Sequence, residues 1–337
     1  MTGRVAVLEG LGSSLPPNVV TNAELAARMD TSDEWIRSRT GVGARRWAGR
    51  DVATSDLAVD AGQLALSAAP DGGIDAVVVV TSTPDRHLPA TAPAVATRLG
   101  MTGVAAFDVA AVCSGFVYGL AVSSGLIASG VAERVLLIGA ETYSTILDPD
   151  DRTTRAIFGD AAAAAVLRAG DSGEPGAVAP CVLGSDGGNG DLIMIPAGGS
   201  HQRSTGVPAD PADFYFRMKG GEVYRHAVER MTAAADTALR HRGWTAADVD
   251  RFVPHQANAR ISAAVGARLG IGSERHLANI AEVGNTAAAS IPLLLTESAA
   301  AGDLRPGHRV LLTAFGGGLA WGATTLVWPD ITALPKR

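Results

Sequence analysis

RVLL at residues 134–137 recurs as RVLL at residues 309–312, and this repeated apolar run decides the fold. AVATRLG at 94–100 likewise resembles AVGARLG at 264–270, and IDAVVVV at 74–80 has a counterpart in VDRFVP at 249–254. The offsets lie between 170 and 175 residues, and the matches follow the same order in both parts of the chain. Such internal similarity predicts a duplicated structural unit.

Each copy consists of a strand, a helix that ends in RLG, a helix of small residues and a further strand. Continuous apolar runs such as AVVVV and RVLLIGA are typical of sheet strands that are covered on both faces. The small-residue helices at 113–130 and 284–302 allow close backbone approach, which suits helices enclosed between layers. We therefore predict an α/β protein of two pseudo-symmetric halves, residues 1–172 and 173–337, packed as one layered body.

Composition excludes several classes of protein. Of 337 residues, 47% are hydrophobic and 18% charged, which does not suit a disordered chain. The formal charge of −6 argues against a general nucleic-acid binder. The uncharged stretch 109–132 contains many Gly and Ser residues and is interpreted as a buried helix, not a membrane span. No export signal is evident and the 2 cysteines form no disulfide framework, so we expect a cytoplasmic protein with no membrane partner.

Cys113 is the first candidate for chemistry. It follows the predicted short strand AAFDVAAV and opens a helix. The positive end of a helix lowers the pKa of a thiol and raises its thiolate fraction, so a reactive cysteine is one interpretation. A buried structural cysteine is the other. Cys181 has no such setting and is interpreted as structural.

His255 and Asn285 are further candidates. His255 lies in PHQAN directly after a predicted strand, where sites of α/β proteins usually lie. Asn285 in GNTAAAS is taken to occupy the position that Cys113 holds in the first half, so that pseudo-symmetry aims both side chains at one point. The glycines of AFGGGLAWGA at 314–323 can present backbone N–H groups to a ligand. The long loop at 186–213 is either a linker or a wall of the site.

No dinucleotide or P-loop motif and no metal-ligand cluster occurs in the sequence, so no cofactor and no metal are expected.

Four of these segments carry a family resemblance. DVAAVCSGF, VPHQAN, GNTAAASIP and AFGGGLAWG resemble the signatures of β-ketoacyl-acyl-carrier-protein synthase III, the initiating condensing enzyme of fatty-acid and some polyketide pathways. TSDEWIRSRTG at 31–41 and DRTTRAIFGD at 151–160 match further motifs of that family. The resemblance covers about residues 5–327 and implies a thiolase-like fold of two α/β copies.

The resemblance implies a role for each matching residue. Cys113 would take an acyl group from acyl-CoA, with His255 and Asn285 completing a catalytic triad for decarboxylative condensation with malonyl-acyl-carrier protein. The backbone amides of Cys113 and Gly317 would form the oxyanion hole. The residues expected to bind CoA are Thr31, Trp35, Arg39, Arg152 and Asn258, with the adenine held between Trp35 and Arg152.

The same resemblance implies partners. Phe315 would lie beside the acyl group, and Leu88 would reach across a homodimer interface to bound the acyl pocket. Because relatives commonly have Phe in place of Leu88, a pocket somewhat roomier than acetyl needs is expected. Arg260 would lie on the patch that receives the acidic acyl-carrier protein.

Departures from the family pattern raise two questions. Ala161 and Ala163 stand where relatives have glycine, so a backbone that needs positive φ there would be strained. Gly221 stands where relatives often have Asn. These changes leave the triad intact, but they weaken the case for a housekeeping fatty-acid enzyme and make a secondary-metabolite starter role plausible.

Three other functions stay open from the residues alone. An acyltransferase would move the acyl group from Cys113 to a hydroxyl or amine without decarboxylation. A Cys–His thioester hydrolase would use Asn285 to orient His255. A non-catalytic partner subunit is disfavoured because the candidate nucleophile is present.

Overall fold

The computed structural model describes residues 3–337, which contain both strands and helices. The strands are β1 (Arg4–Ser14), β2 (Val19–Thr21), β3 (Ala44–Arg46), β4 (Ala76–Val80), β5 (Ala105–Val109), β6 (Arg134–Glu141), β7 (Ala161–Asp171), β8 (Val182–Ser185), β9 (Ile193–Met194), β10 (Arg217–Met218), β11 (Arg251–Pro254), β12 (Arg309–Gly316), β13 (Ala320–Val327) and β14 (Ala333–Lys336). The helices are α1 (Asn22–Ala26), α2 (Asp33–Thr40), α3 (Thr54–Ala68), α4 (Ala92–Arg98), α5 (Gly115–Ala128), α6 (Arg152–Arg155), α7 (Ser200–Ser204), α8 (Gly220–Arg242), α9 (Ala259–Leu269), α10 (Ile280–Val283) and α11 (Ser290–Ala300).

Two sheets repeat one strand order. The first sheet runs β14-β1-β7-β6-β4-β5 and the second runs β8-β13-β12-β11. One pair in each sheet is parallel, β4 with β6 in the first and β11 with β12 in the second. Two antiparallel pairings follow in each, β6 with β7 and β7 with β1 in the first sheet, and β12 with β13 and β13 with β8 in the second. A parallel bridge from Phe252 to His276 continues the second sheet at the place where β5 continues the first. The predicted α/β fold with two pseudo-symmetric copies is confirmed.

The two copies share one core. Side chains of α5 and α11, together with strands of both sheets, form a single buried apolar cluster, so these helices lie between the sheets. Helices α3 and α4 cover the outer face of the first sheet, and α8 and α9 cover that of the second. The predicted close approach of the small-residue helices is present: a Cβ atom at Gly115 would lie 2.1 Å from Val80 Cγ1.

The final strand was not predicted. β14 runs parallel to β1, at the edge of the first sheet, although it follows the whole second copy in the chain. The division at residues 172 and 173 therefore stays a prediction, because the last strand of the second segment contributes to the sheet of the first.

The stretch 109–132 contains the buried helix α5, which is 14 residues long. Within residues 3–337, no helix combines the length and the apolarity needed to cross a bilayer. The interpretation of this stretch as a core helix is confirmed.

Ala161 and Ala163 carry no backbone strain. Both lie in β7, fully buried, and Ala163 pairs with Ser13 of β1 and Gly139 of β6 in regular antiparallel register. Neither belongs to the positive-φ non-glycine residues of the described chain, which are Asp51, Val112 and Ala287. The condition for strain is therefore not met, because a strand is extended and accepts alanine as readily as glycine.

Candidate active site

Cys113 lies on a strained turn at the start of a buried helix. The 3₁₀ turn 112–114 leads directly into α5, and Val112 has φ +46°, a left-handed conformation that a β-branched residue rarely adopts. Gly316, at the end of β12, packs against this turn so closely that a Cβ atom there would lie 2.7 Å from the Cys113 nitrogen. Strain and close packing together fix the thiol, which is 9% exposed.

A second strained turn mirrors the first. Ala287 has φ +45° and lies 175 residues after Val112, the same offset as the two RVLL strands. The structural counterpart of Cys113 is therefore Ala288, and the expected equivalence of Cys113 and Asn285 was wrong. Asn285 lies three residues before Ala288, in the loop between α10 and this second turn. Asn285 lines the same cavity as Cys113, although the two residues do not hold equivalent positions in the two copies.

The side chains of His255 and Asn285 are buried and keep hydrogen-bonding groups without a partner in the described residues. His255 directly follows β11, its backbone N–H donates to the Thr313 carbonyl at 2.8 Å, and the residue is 1% exposed. Among residues 3–337, neither of its ring nitrogens has a hydrogen-bond partner. Asn285 Oδ1 accepts the Ala287 N–H at 2.9 Å, so its Nδ2 group remains as the donor. Two unpaired ring nitrogens in a buried site call for a ligand.

One cavity brings the predicted triad together. Cys113, His255, Asn285 and Phe315 all line a space of about 30 Å³. The remaining wall is almost entirely apolar and consists of Phe158, Ile193, Phe216, Met218, Val223, Ala227, Met231, Ala257, Ile261 and Gly316. A cysteine, a histidine and an amide in a dry pocket are suited to covalent catalysis on a carbonyl group.

The ionisation of Cys113 differs from the prediction. Burial raises the pKa of the Cys113 thiol, and the nearby Glu141 carboxylate raises it further. The expected lowering was wrong, because the loss of solvation outweighs the positive end of α5. Burial also lowers the pKa of His255 to about 3, so this imidazole is neutral at pH 7. A protonated thiol beside a neutral imidazole is a nucleophile and base pair in its resting state.

Glu141 is a buried carboxylate that the sequence analysis missed. It ends β6, is fully buried, and accepts hydrogen bonds from the Ser82 N–H at 3.1 Å, the Ser82 hydroxyl at 2.7 Å and the Thr83 hydroxyl at 2.9 Å. Burial raises its pKa to about 7. An acidic residue at the end of the otherwise apolar run VLLIGAE at 135–141 was the available signal.

The pKa of His255 predicts how stability depends on pH. Its folded pKa of about 3 lies below the ordinary 6.5, so below pH 6.5 the unfolded chain binds a proton that the folded protein does not. We expect His255 to reduce the free energy of unfolding by about 1.4 kcal/mol per pH unit between pH 6.5 and 3. Chemical denaturation of the wild type and a His255→Gln variant across this range measures the difference.

The comparison with the variant is necessary because other groups act in the opposite direction. Burial raises the pKa of Glu141 to about 7 and that of Asp160 to about 6, so both favour the folded state as the pH falls through those values. These contributions are common to both proteins and cancel in the difference. Parallel stability curves for wild type and His255→Gln would show that His255 is not buried as a neutral group.

A channel connects the cavity with the surface. It measures about 520 Å³ and shares Asn285, Met218 and Ile261 with the small cavity. Of the predicted CoA-binding residues, Trp35, Arg39 and Asn258 line it, and Arg260 lies at its mouth. Other residues of the lining are Thr40, Thr153, Ile157, Gly220, Gly221, Val223, Tyr224 and Ala257.

Asn258 is fixed at the junction of two helices. Its Oδ1 accepts the Arg260 N–H at 2.9 Å and caps α9, while its Nδ2 donates to the Arg39 carbonyl at 3.0 Å. One N–H of Nδ2 and one lone pair of Oδ1 remain for a ligand.

Trp35 and Arg152 stack on each other. Arg152 Cζ lies 5.2 Å from the centre of the Trp35 ring, and its guanidinium also bonds to Asp30. A flat ring between two stacked groups needs about 7 Å between them, so Arg152 must move outward before adenine can enter. Thr31 lies just before α2 with its hydroxyl buried, and it does not line the channel.

Models of the 3-oxoacyl-acyl-carrier-protein (ACP) synthase III family match this chain twice. The model named for the synthase matches residues 107–187 and the model of its C-terminal part matches residues 239–328. Among similar proteins is β-ketoacyl-acyl-carrier-protein synthase III 3 of Streptomyces coelicolor, which is 60% identical over 97% of this chain and 98% of its own length. The chain belongs to the 3-oxoacyl-ACP synthase III family.

Solved structures of synthase III proteins share the fold. That of 3-oxoacyl-(acyl carrier protein) synthase III from Pseudomonas aeruginosa has a TM-score of 0.91 and 51% identity, covering 97% of this chain and 99% of its own. The priming β-ketosynthase of a polyketide biosynthetic pathway has a TM-score of 0.89 and 33% identity, covering 97% of each chain. The thiolase-like fold expected for this family is therefore confirmed.

Two predicted site residues of this synthase III chain lie away from the cavity. Leu88 is 85% exposed and contributes to no wall of the site in its own chain. Gly317 follows Gly316 but packs toward Ile193, whose Cγ2 would lie 3.2 Å from a Cβ atom there. Their roles in the acyl pocket and the oxyanion hole stay predictions.

The segment 186–213 is a wall of the site. It contains short elements, among them β9, and Ile193 of this strand lines the catalytic cavity. Phe216, which follows the segment, lines the cavity beside it. Of the two interpretations of this loop, the wall is correct. The apolar residues within a Gly- and Pro-rich stretch were the signal for it.

Proposed function

We propose that this synthase III uses Cys113, His255 and Asn285 to carry out two successive reactions. An acyl group moves from acyl-CoA to Cys113, and the acyl-enzyme then condenses with malonyl-ACP to give a 3-oxoacyl-ACP, the first condensation product of a fatty-acid or polyketide chain. The observation that supports this most directly is the cavity that all three side chains line at the inner end of a surface channel.

The first reaction needs a thiolate. As the Cys113 sulfur attacks the thioester carbonyl of acyl-CoA, its proton passes to the neutral His255 ring. The backbone amides of Cys113 and Gly317 donate to the oxygen on which negative charge develops. The carbon–sulfur bond to CoA then breaks, and CoA leaves as a thiol with the proton from His255.

The second reaction needs an enolate. The bond between C2 of malonyl-ACP and its carboxylate breaks, carbon dioxide leaves, and the electron pair moves into an enolate. One N–H of neutral His255 and the Nδ2 group of Asn285 donate to the enolate oxygen. The enolate carbon attacks the Cys113 thioester, the carbon–sulfur bond breaks, and the thiolate takes up a proton from solvent. This route uses no metal and no redox cofactor.

The channel suits the extended arm of CoA or of a carrier protein. Arg39 and Asn258 would contact that arm, and Trp35 would stack on the adenine once Arg152 has moved outward. Thr31, which does not line the channel, would lie near the CoA adenine. The carrier protein would dock at the mouth, where the exposed Arg260 lies with its Cζ 5.7 Å from the ring centre of Tyr224.

Arg260→Glu is expected to weaken use of the carrier protein. Reversing the charge on the docking surface repels an acidic partner, so KM for malonyl-ACP should rise at least about tenfold, while Cys113 acylation by acyl-CoA changes little. Steady-state kinetics at low ionic strength measures this. Arg225→Glu, at an exposed position of α8 outside the channel lining, is the control. An unchanged KM for malonyl-ACP in Arg260→Glu would place the docking surface elsewhere.

A homodimer in the cytoplasm completes the proposal. The Leu88 side chain is exposed and does not line the cavity of its own chain. This fits the role that the resemblance implies, in which Leu88 reaches across the dimer interface to the acyl pocket of the second copy. Sedimentation velocity of the wild type should give twice the mass of 34.3 kDa.

A two-stage assay tests the proposed function. Acetyl-CoA alone should release one equivalent of CoA in a burst and leave an acetyl group on the protein. Malonyl-ACP added afterwards should release carbon dioxide in equal amount and clear the acetyl group. Continuous CoA release without malonyl-ACP would instead indicate a thioester hydrolase, and transfer to a hydroxyl or amine without carbon dioxide would indicate an acyltransferase.

A further inference from the structure

The enolate proposed above needs two donors at once, one from His255 and one from Asn285. These residues come from different parts of the chain: His255 directly follows β11, and Asn285 lies between α10 and the second strained turn. Among residues 3–337, neither ring nitrogen of His255 has a hydrogen-bond partner, so the position of the ring depends on the backbone that carries it. Both donors reach one oxygen only if the two segments are fixed relative to each other.

Gln256, the residue after His255, bonds to the chain on both sides of Asn285. Its side-chain Oε1 accepts the Asn279 N–H at 3.3 Å, directly before α10. Its backbone N–H donates to the Ser290 hydroxyl at 2.8 Å, at the start of α11. Asn279 and Ser290 stand six residues before and five residues after Asn285. Gln256 therefore connects the two ends of the loop that carries Asn285.

The side-chain amide of Gln256 is buried and bonded at both ends. Its Nε2 donates to the Pro254 carbonyl at 2.8 Å, at the end of β11. Pro254 pairs with Thr313 of β12, and the His255 N–H donates to the Thr313 carbonyl at 2.8 Å. One end of the amide is therefore fixed to the second sheet and the other end to Asn279. A buried amide whose two ends are both satisfied holds these segments rigidly apart.

Helix α10 carries this restraint to Asn285. The Asn279 carbonyl accepts the N–H groups of Glu282 and Val283, and the helix comprises only 4 residues, so a shift of Asn279 reaches Asn285 within one turn. The Asn279 Nδ2 group also donates to Glu297 Oε2 in the buried helix α11, at 2.8 Å.

The first copy fixes Asn285 from another direction. The Asn285 N–H donates to the Ile157 carbonyl at 2.9 Å, and its carbonyl accepts the Gly159 N–H at 3.0 Å. These bonds set the place of Asn285 relative to the first copy, which carries Cys113. The bonds of Gln256 set its place relative to His255.

We propose that Gln256 is a positioning residue for condensation, which holds the Asn285 loop at the distance from His255 at which one enolate oxygen accepts from both side chains. The proposal rests on the proposed condensation with malonyl-ACP. Acylation needs His255 as a base but does not need Asn285. Because His255 keeps its bond to Thr313 without the Gln256 side chain, the first reaction should depend little on Gln256.

Gln256→Met tests the proposal, with Thr324→Val as the control. Methionine has a similar length but bonds to neither Asn279 nor Pro254. Thr324 is also fully buried, and valine removes a hydroxyl that donates to the Ala179 carbonyl at 2.7 Å, away from the cavity. In Gln256→Met, condensation of isolated acetyl-enzyme with malonyl-ACP should fall about 10–100-fold and acylation by acetyl-CoA less than about threefold. Thr324→Val should keep both rates.

A double variant shows whether Gln256 acts through Asn285. Asn285→Ala removes the group that Gln256 positions, so Gln256→Met combined with Asn285→Ala should condense as slowly as Asn285→Ala alone. Losses that multiply in the double variant would show that the two residues act separately and would overturn the proposal.

The outcomes separate two kinds of failure. If acetyl-CoA does not acylate the wild type, or wild-type acetyl-enzyme does not condense with malonyl-ACP, the proposed function itself is wrong. If the wild type carries out both reactions and Gln256→Met keeps both rates or loses both equally, only the role of Gln256 is wrong. Should Gln256→Met fail to fold, Ser290→Ala removes the other bond of Gln256 to this loop. It should show the same selective loss of condensation, and wild-type rates in Ser290→Ala would contradict the proposal.

Discussion

Replacing Cys113 with alanine is expected to abolish acyl transfer from acyl-CoA, with a loss on the order of 10⁴-fold or more. The sulfur forms the covalent bond to the acyl group, and no other nucleophile lines the cavity with His255 and Asn285 among the described residues. Incubation with acetyl-CoA followed by intact mass and peptide mapping measures the loss. The expected result is one added acetyl group in the wild type, on the peptide of Cys113, and none in the variant.

The second cysteine supplies the control. Cys181 is half-buried, burial raises its pKa to about 11, and it packs against the core between the sheets, away from the cavity. Cys181→Ala should therefore keep the acylation of the wild type. Retained acetyl labelling in Cys113→Ala, or loss of labelling in Cys181→Ala, would overturn the assignment of the nucleophile.

Asn285→Ala is expected to separate the two reactions. The variant loses a donor to the enolate oxygen, so condensation with malonyl-ACP should fall about 10²–10³-fold. Acylation uses the Cys113 sulfur and His255, so it should fall less than about tenfold. Rapid-quench measurement of each half-reaction, the first with acetyl-CoA and the second from isolated acetyl-enzyme, gives the two rates.

Asn285→Asp is the matched variant. Aspartate retains the Oδ1 atom that accepts the Ala287 N–H at 2.9 Å and so holds the strained turn. When ionised, it carries an oxygen in place of Nδ2 and cannot donate a hydrogen bond to the enolate. Its condensation rate should fall at least as far as that of Asn285→Ala. Equal losses in acylation and condensation for both variants would contradict a role for Asn285 at the enolate and would indicate a structural role in the turn.

The sequence carried enough information to place the triad in one cavity. Repeated strands such as RVLL predicted two similar sheets, and polar residues at the ends of such strands meet at one edge. His255 directly after β11 and Cys113 at the start of α5 follow from this rule. The helices at 113–130 and 284–302 were predicted to be enclosed because Gly, Ala and Ser allow a sheet to approach a helix closely, as it does at Gly115.

Other features depend on packing that a linear pattern does not contain. The pKa of Cys113 is set by burial and by Glu141, which lies 28 residues further along the chain and meets it only in the fold. Asn285 was misplaced by three residues. The 175-residue offset of the RVLL strands already pointed to Ala288, and the backbone angles of Val112 and Ala287 establish that equivalence. The wall formed by Ile193 closes the cavity from a loop whose composition did not decide between linker and wall.

The most direct test of the account is the mass of the carrier protein after reaction. Malonyl-loaded ACP is incubated with the protein and an equimolar mixture of acyl-CoAs, and its intact mass is then measured. We expect a 3-oxoacyl-ACP, and the mass of the product names the starter. Unchanged malonyl-ACP beside an acylated Cys113 would contradict condensation and show that the acyl group goes to another acceptor.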